Sequence, residues 1–402
     1  MTLLNMLVTI GQGIVLALGI FLAIEVGYLL LLTVAALFAR RTTPARAGDA
    51  KTRFLVLAPA HNEEVLIERT VDSLLQMDYP RDAYTVCVIA DNCTDRTAQL
   101  ARARGAMVEE RTNPDLRGKG YALDWALQRW WDSGRPCDAV VIIDADTDVS
   151  PNFLRVMDAR LAQGDVAVQG YYAVRDPGRS WTAALRYAAL AVLHYLRPQG
   201  RMTLGGSVGL KGNGMVFTAE VMRGHRWTAS LTEDVEFHMN LVLDGKRVTF
   251  APDAVVWAEM PNTLGNSTTQ NARWERGRIQ MVQRYVPTLL KRALAQRSYV
   301  MADAAMEQLI PPTSVLAFLI IACLVGGIAL GSAAGTALGV VLLIGLAVYI
   351  LTGLLLARAP GKVYLAMIYA PFLMLWKVWL YIKVLINPNK SGWVRTARNE
   401  KK

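Results

Sequence analysis

Cysteine and histidine are both scarce here, four of each in 402 residues. Cys87, Cys93, Cys137 and Cys323 show no metal-type pairing, so neither a thiolate zinc site nor a disulfide framework is expected. Cys87 and Cys137 lie in or beside apolar runs and read as buried thiols of a reducing compartment. Charge is also thin, at 19% charged against 53% hydrophobic residues, which argues that part of the chain lies in lipid. Internal repeats, low-complexity tracts and nucleic-acid-binding modules are absent. The net charge of +10 clusters at Arg40-Arg41, from Arg273 to Arg297, and from Lys390 to Lys402. Clusters flanking apolar segments fit the cytoplasmic side of a membrane better than nucleic acid.

Long apolar runs are plentiful. Leu3 to Phe38 is too long for a signal-peptide core, and it ends in Arg40-Arg41 without a clear cleavage site. It reads as a retained transmembrane helix with its N-terminus outside and the rest of the chain entering the cytoplasm. Three more blocks follow at 312–330, 337–357 and 363–386. The first two form a hairpin through the small-residue run Gly331–Gly335. The third carries Lys377 and Lys383 among Trp and Tyr, which suits a helix at the interface or a third C-terminal membrane helix. Three spans, with the third block interfacial, return the basic tail to the cytoplasm.

Between these ends, strand-like and helical runs alternate from Phe54 to Leu161. That βαβ pattern argues for an α/β domain with a mostly parallel sheet and helices on both faces. Asp138-Ala-Val-Val-Ile-Ile-Asp144-Ala-Asp146 is its focus: a buried-strand run closed by two acids one residue apart. Ligands of open α/β sheets bind outside the carboxyl ends of the strands. Two carboxylates there suit a divalent cation, and the cation suits a pyrophosphate. Taken alone, the stretch also reads as a loop capping the next helix. Ala58-Pro59-Ala60-His61-Asn62-Glu63-Glu64 and Asp91-Asn92-Cys93-Thr94-Asp95 close two other strands, and Arg117-Gly118-Lys119-Gly120 opens a helix with a cation. Each is an ordinary cap by itself. Together they place four polar strand ends on one rim.

In this order the motifs resemble the membrane-integrated branch of the family 2 glycosyltransferases, which includes cellulose, chitin and hyaluronan synthases and ceramide glucosyltransferases. The resemblance covers nearly the whole chain after the first helix. It implies a GT-A fold, a Rossmann-like nucleotide-sugar-binding cytosolic domain, with transmembrane and interfacial helices. Asp144 and Asp146 would hold Mg²⁺ or Mn²⁺ against the donor diphosphate. Pro59, Ala60, His61, Glu63 and Asp91 would line the nucleoside pocket, and Lys119 would help hold the donor. Thr232-Glu233-Asp234 matches the family's Thr-Glu-Asp, whose aspartate is the general base; Thr232 also suits a helix N-cap. Gln270-Asn-Ala-Arg273-Trp274 matches Gln-x-x-Arg-Trp, with Gln270, Arg273 and Trp274 sharing a helix face. Arg273 would meet charge on the leaving diphosphate and Trp274 would offer a platform to the acceptor. Arg276 joins the donor-binding set, and with Arg278 it also suits a basic amphipathic helix at a membrane surface. Gly212-Asn213-Gly214 matches the acceptor loop, although a tight turn reads nearly as well. The tail, Trp393-Val-Arg395-Thr396-Ala-Arg398, is similar to the gating segment over the donor, and Trp393, Thr396 and Arg398 join that set. His61 and His238 have no expected metal role.

The resulting expectation runs as follows. A transmembrane helix occupies 1–41, a cytosolic GT-A domain 50–268, interfacial helices 269–310, a membrane hairpin 311–358, a further membrane or interfacial helix 359–388, and a gating tail 389–402. The chain would be an integral protein of a bacterial inner membrane with a cytosolic site. It would move a sugar with inversion from a UDP-sugar to a membrane lipid or lipid-linked acceptor, or alternatively elongate a polysaccharide. The rival from another class is a non-catalytic scaffold or transporter. It is disfavoured by the intact acids and by the scarcity of intramembrane charge, of which Glu25 is the clear case.

Overall fold

The computed structural model describes residues 3–39, 51–228, 230–259 and 264–386. The expected gating residues Trp393, Thr396 and Arg398, and the linker at 42–49, lie outside the described residues. Eight strands form one sheet: β1 (Phe54–Ala60), β2 (Tyr84–Asp91), β3 (Met107–Arg111), β4 (Ala139–Ile142), β5 (Thr147–Val149), β6 (Ala167–Val174), β7 (Met215–Thr218) and β8 (Thr249–Ala258). The helices before β7 are α1 (Leu3–Leu37), α2 (Ile67–Leu75), α3 (Thr97–Ala103), α4 (Lys119–Asp132), α5 (Phe153–Ala162), α6 (Trp181–Leu190) and α7 (Arg197–Thr203). Those after it are α8 (Ala219–Gly224), α9 (Glu233–Leu243), α10 (Leu264–Gln296), α11 (Tyr299–Leu309), α12 (Thr313–Ala329), α13 (Ala333–Leu356), α14 (Gly361–Ala366) and α15 (Ala370–Ile386).

The chain divides into two compact units. The first lies within Met1–Ala39, Pro177–Leu204 and Glu307–Lys390, and the second within Arg40–Asp176, Gly205–Met306 and Ser391–Lys402. The sequence reading runs one soluble domain through 50–268, whereas α6, α7 and the π-helical turn Ala191–Leu196 between them belong to the helical unit. In that unit Arg197 is buried and donates from Nε to the hydroxyl of Tyr349 at 2.7 Å. The hairpin of α12 and α13 closes on glycine: a Cβ at Gly339 would sit 2.7 Å from the Leu324 Cα. Small residues give apolar helices this close approach.

Among the described residues, three helices are long and apolar enough to cross a membrane: Leu3–Leu37, Ala333–Leu356 and Gly361–Ile386. This set differs from the expected one. Thr313–Ala329 is only 17 residues long and qualifies only as a bent pair with α11, which would make up to four spans. The 361–386 stretch, expected as an interfacial or a third C-terminal membrane helix, has the length of a span despite Lys377 and Lys383.

The second unit carries the sheet, in the order β3-β2-β1-β4-β7-β6-β8-β5. β3, β2, β1 and β4 run parallel, as the βαβ pattern predicts. β1 is buried along nearly its whole length and β4 along all of it, which is why both are unbroken apolar runs. Past β4 the expectation of a mostly parallel sheet gives way. β7 runs antiparallel to β4 and to β6, and β5 antiparallel to β8, so the sheet is mixed. The strand order reverses at β1, whose neighbours are β2 on one side and β4 on the other. Ligands of α/β sheets enter at such a switch. A second core of Met239, Met281, Tyr285, Val286 and Leu289 joins α9 to α10.

Candidate active site

At the carboxyl end of β1 the chain turns through Asn62, which holds a positive φ of 56°. Here His61 Nδ1 lies 2.7 Å from the carbonyl oxygen of Asp91, the last residue of β2. The β2–β3 register sets Asp91 beside Arg111, whose Nη1 donates to Asp91 Oδ1 at 2.6 Å. Glu63 is buried, and its backbone amide donates to Thr97 Oγ1 at 2.7 Å. Pro59, Ala60, His61, Glu63 and Asp91 therefore line adjoining strand ends, as expected. Arg111, which the motif reading missed, holds the acid among them.

The second cluster forms where β4 meets β7. Their antiparallel register pairs Ile142 with Met215, which brings Gly212-Asn213-Gly214 alongside Asp144. Asn213 is fully buried. Its Oδ1 accepts from the Asp144 amide at 3.1 Å, and its Nδ2 donates to Thr147 Oγ1 at 2.8 Å. Thr147 lies in turn 3.4 Å from Asp146 Oδ1. One amide thus sets the turn that carries both aspartates, with Thr70 Oγ1 donating to the Ala145 carbonyl at 2.9 Å. This corrects the acceptor-binding expectation for Asn213: both ends of its amide are engaged inside the protein. Gly214 and Gly212 instead give the loop its shape, with φ of 68° and 77°. Gln169, also buried, accepts from the Lys211 amide and donates to the Asn213 carbonyl, fixing the loop from below.

Lys119 opens α4 and bridges the cluster. Its Nζ donates to Asp144 Oδ1 at 2.5 Å and to the Gly212 carbonyl. Burial alone would lower its pKa, but Asp144, Glu233 and Asp234 raise it, so it stays protonated. Across the loop lies Asp234, whose Oδ2 would be 3.3 Å from a Cβ placed on Gly212. Glycine at this position leaves room beside the carboxylate. Burial raises the Asp234 pKa, against the Val235 amide and the cations of Lys119 and Lys211. Its neighbour Glu233 is pushed up to about 7 by burial and by Asp234, against Lys119 and Arg273. Thr232 occupies the N-cap position of α9, yet its hydroxyl makes no capping hydrogen bond. A Cβ at Gly277 of α10 would instead meet Thr232 Oγ1 at 2.8 Å, so the cap residue is packed against that helix.

α10 carries Gln270, Arg273, Trp274 and Arg276. Gln270 Oε1, Arg273 Nε and Arg276 Nε are buried without a hydrogen-bond partner. Buried orphan donors are unusual, and an anionic ligand within reach of these nitrogens would satisfy them. The structure joins Lys119 directly to Asp144 and to the Gly212 carbonyl, with Glu233, Asp234, Arg273 and Lys211 acting in the same site through their charge. Asp144 and Asp146 are oxygen donors on a fixed turn. No group of three or more His, Cys, Asp or Glu suited to a metal occurs among the described residues. Two carboxylates, with diphosphate and water completing the shell, is how Mg²⁺ is commonly held, so the residues fit a divalent cation. His238 meets Ser207 Oγ at 2.9 Å inside the core.

Three comparisons bear on this arrangement. The family described as "Glycosyltransferase like family 2" matches residues 52–277, more than half of the chain. A beta-monoglucosyldiacylglycerol synthase of Synechocystis is 28% identical over 59% of this chain and 51% of its own. A poly-beta-1,6-N-acetyl-D-glucosamine synthase of Staphylococcus aureus is 28% identical over 57% of this chain and 55% of its own. The chain therefore spans about half the length of these relatives. Among solved structures, a mannosyltransferase from Pyrobaculum calidifontis with GDP-Man and Mn²⁺ shares the fold at a TM-score of 0.54 and 20% identity. That match covers 85% of this chain and 98% of its own.

Proposed function

The chain belongs to glycosyltransferase family 2, and from that premise we propose that it moves a sugar, with inversion, from a UDP-sugar to a lipid or lipid-linked acceptor at the cytosolic face of a bacterial inner membrane. The observation that carries the reading is the Lys119–Asp144 pair on the Gly212 loop, with Asp234 on the other side of Gly212 and the charges of Glu233 and Asp234 acting on Lys119. It sets a candidate base opposite a candidate donor clamp. Three helices long and apolar enough to cross a membrane supply the membrane half of the reading. The lipid half rests on the synthase of Synechocystis.

In this mechanism Asp234 takes the proton of the acceptor hydroxyl as its oxygen bonds to the anomeric carbon. The bond from that carbon to the diphosphate breaks, and the electron pair leaves with the nucleoside diphosphate. A raised pKa suits Asp234 to this exchange near neutral pH. Arg273 and Arg276 offer unpaired donors to the departing diphosphate, and the Lys119 ammonium adds a fixed charge beside it. A divalent ion held by Asp144 and Asp146 would neutralise diphosphate charge. His61, Glu63 and Asp91 would grip the nucleoside, and Trp274 would give the acceptor a flat face. Gly212 and Gly214 would shape the acceptor side through their backbone.

The test is nucleoside diphosphate release by the purified full chain in detergent with native lipid extract, across UDP- and GDP-sugars, with Asp234→Asn as control. Metal-dependent release with one donor, lost in the variant, is the expected result. No release with any donor and no UDP binding would overturn the reading. A second reading, polymer elongation, draws on the equal identity to the Staphylococcus aureus synthase. Labelled lipid as product supports single transfer, whereas long polymer supports elongation.

A further inference from the structure

The mechanism leaves the buried carboxylate of Glu236 without a task. Glu236 lies in the first turn of α9 with its side chain 3% exposed. Thr228 Oγ1 donates to Glu236 Oε2 at 2.6 Å, and Arg284 Nη1 donates to Oε1 at 2.6 Å. The Tyr285 hydroxyl lies 3.3 Å from the same oxygen and 3.0 Å from Asn240 Oδ1. A buried carboxylate with charged and neutral donors on both oxygens holds its place firmly, because losing a partner strands the charge.

Each donor reaches a different part of the site. Arg284 and Tyr285 stand on α10 about three turns beyond Arg273, so they tie α9 to the helix of the orphan arginines. Thr228 leads toward α4: a Cβ on Gly120 would collide with the Thr228 carbonyl, so this segment lies directly on the first turn of α4, beside Lys119. Glu236 follows Asp234 by two residues, about 200° around the helix. Anchoring the Glu236 side of α9 therefore holds Asp234 on the opposite side.

We propose that Glu236 is a positioning residue, which fixes α9 between α10 and the Thr228–Gly120 contact and so holds Asp234 in register with Lys119 and Arg273. The inference rests on the transferase reading. A displacement of the base of about 1 Å can cost on the order of 100-fold in rate, while nucleotide binding through β1, β2 and the aspartate turn stays intact. A misplaced base also favours water over the intended acceptor.

The experiment uses the full chain in detergent with lipid extract, and the donor that supports turnover by the wild type. Glu236→Gln, Arg284→Ala, their double variant and Tyr285→Phe are measured for UDP–Mn²⁺ affinity, kcat, KM and the ratio of donor hydrolysis to transfer. For Glu236→Gln we expect kcat to fall about tenfold or more, with UDP–Mn²⁺ affinity within about twofold and a larger hydrolysed share. The double variant is expected to lose no more than the worse single one, as members of one network do. Wild-type kcat in Glu236→Gln, multiplying losses in the double variant, or a parallel loss of UDP binding would each overturn the proposal. If Glu236→Gln does not fold, Arg284→Ala and Tyr285→Phe decide by the same ratio. A wild type that neither turns over any donor nor binds UDP would sink the transferase reading, and this inference with it.

Discussion

Replacing Glu233 by Gln should stabilise the protein at alkaline pH while disturbing its chemistry. The Glu233 carboxyl is raised from an ordinary 4.5 to about 7, first by burial and then by Asp234. Between those values the folded state binds a proton that the unfolded chain has released. This group's contribution is therefore whole at low pH, falls as pH rises toward 7, and stays low above it. Each unit of displacement is worth about 1.4 kcal/mol. With the Lys119 and Arg273 cations favouring the anion, the net penalty at alkaline pH is on the order of 1–3 kcal/mol. Glutamine cannot ionise and escapes it. Thermal unfolding in detergent should show the variant melting several degrees above wild type near pH 8, at roughly 2–4 °C per kcal/mol for a domain of this size. The gap should close toward about pH 5. A gain independent of pH, or a loss at alkaline pH, would refute the reasoning by showing that Glu233 makes stabilising contacts as an anion.

Other perturbations follow from the same geometry. Asn213→Ala strands the buried Asp144 amide and the Thr147 hydroxyl, at about 1–3 kcal/mol for each unpaired group. Calorimetry should show weakened UDP–Mn²⁺ binding, and unchanged affinity in a folded variant would show that the aspartate turn does not need Asn213. Gly212→Ala forces a side chain onto a φ of 77° and toward Asp234 Oδ2. It should lower kcat about 10²-fold or more with nucleotide binding largely kept, and steady-state kinetics would check this. EDTA should abolish turnover, and Mg²⁺ or Mn²⁺ should restore it in wild type but not in Asp144→Asn/Asp146→Asn. Gly120→Ala drives a methyl into the Thr228 backbone and should lower the melting temperature at every pH.

How much of this was legible in the sequence depended on where each segment's partners lie. β1, β2 and β4 announce themselves because they are buried across both faces, and polar residues at their ends stand out against apolar runs. Asp144, Lys119 and Asp234 stood in motifs, and the structure brings them together. β5 falls in the stretch whose alternative reading is a helix-capping loop, because Thr147–Val149 is three residues long and is a strand only through its pairing with β8. β8 itself went unrecognised. Arg111 and Glu236 were missed for a related reason. Arg111 owes its place to the β2–β3 register, and Glu236 to donors on α10 and in the segment before α9. Neither origin leaves a local pattern. The placement of 177–204 with the apolar helices was hidden in the same way, since its helical pattern continues smoothly from the soluble fold.

The reversal of strand direction at β7 explains why the site forms at all. Had β7 run parallel to β4, the residues before it would lie at the opposite end of the sheet from Asp144. Running antiparallel, it delivers Gly212-Asn213-Gly214 to the carboxyl end of β4. Asn213 can then hold the Asp144 turn, and the Gly212 carbonyl can take Lys119. The glycine against which Asp234 rests belongs to this same loop. The metal turn and the base, about ninety positions apart in the chain, are thus joined through one short loop rather than through each other. A substitution that lets the loop slip, such as Gln169→Ala beneath it, should therefore impair nucleotide binding and turnover together. Asp234→Asn should impair turnover alone. Comparing UDP affinity with kcat in these two variants separates the loop's task from the base's, and equal profiles would refute the distinction.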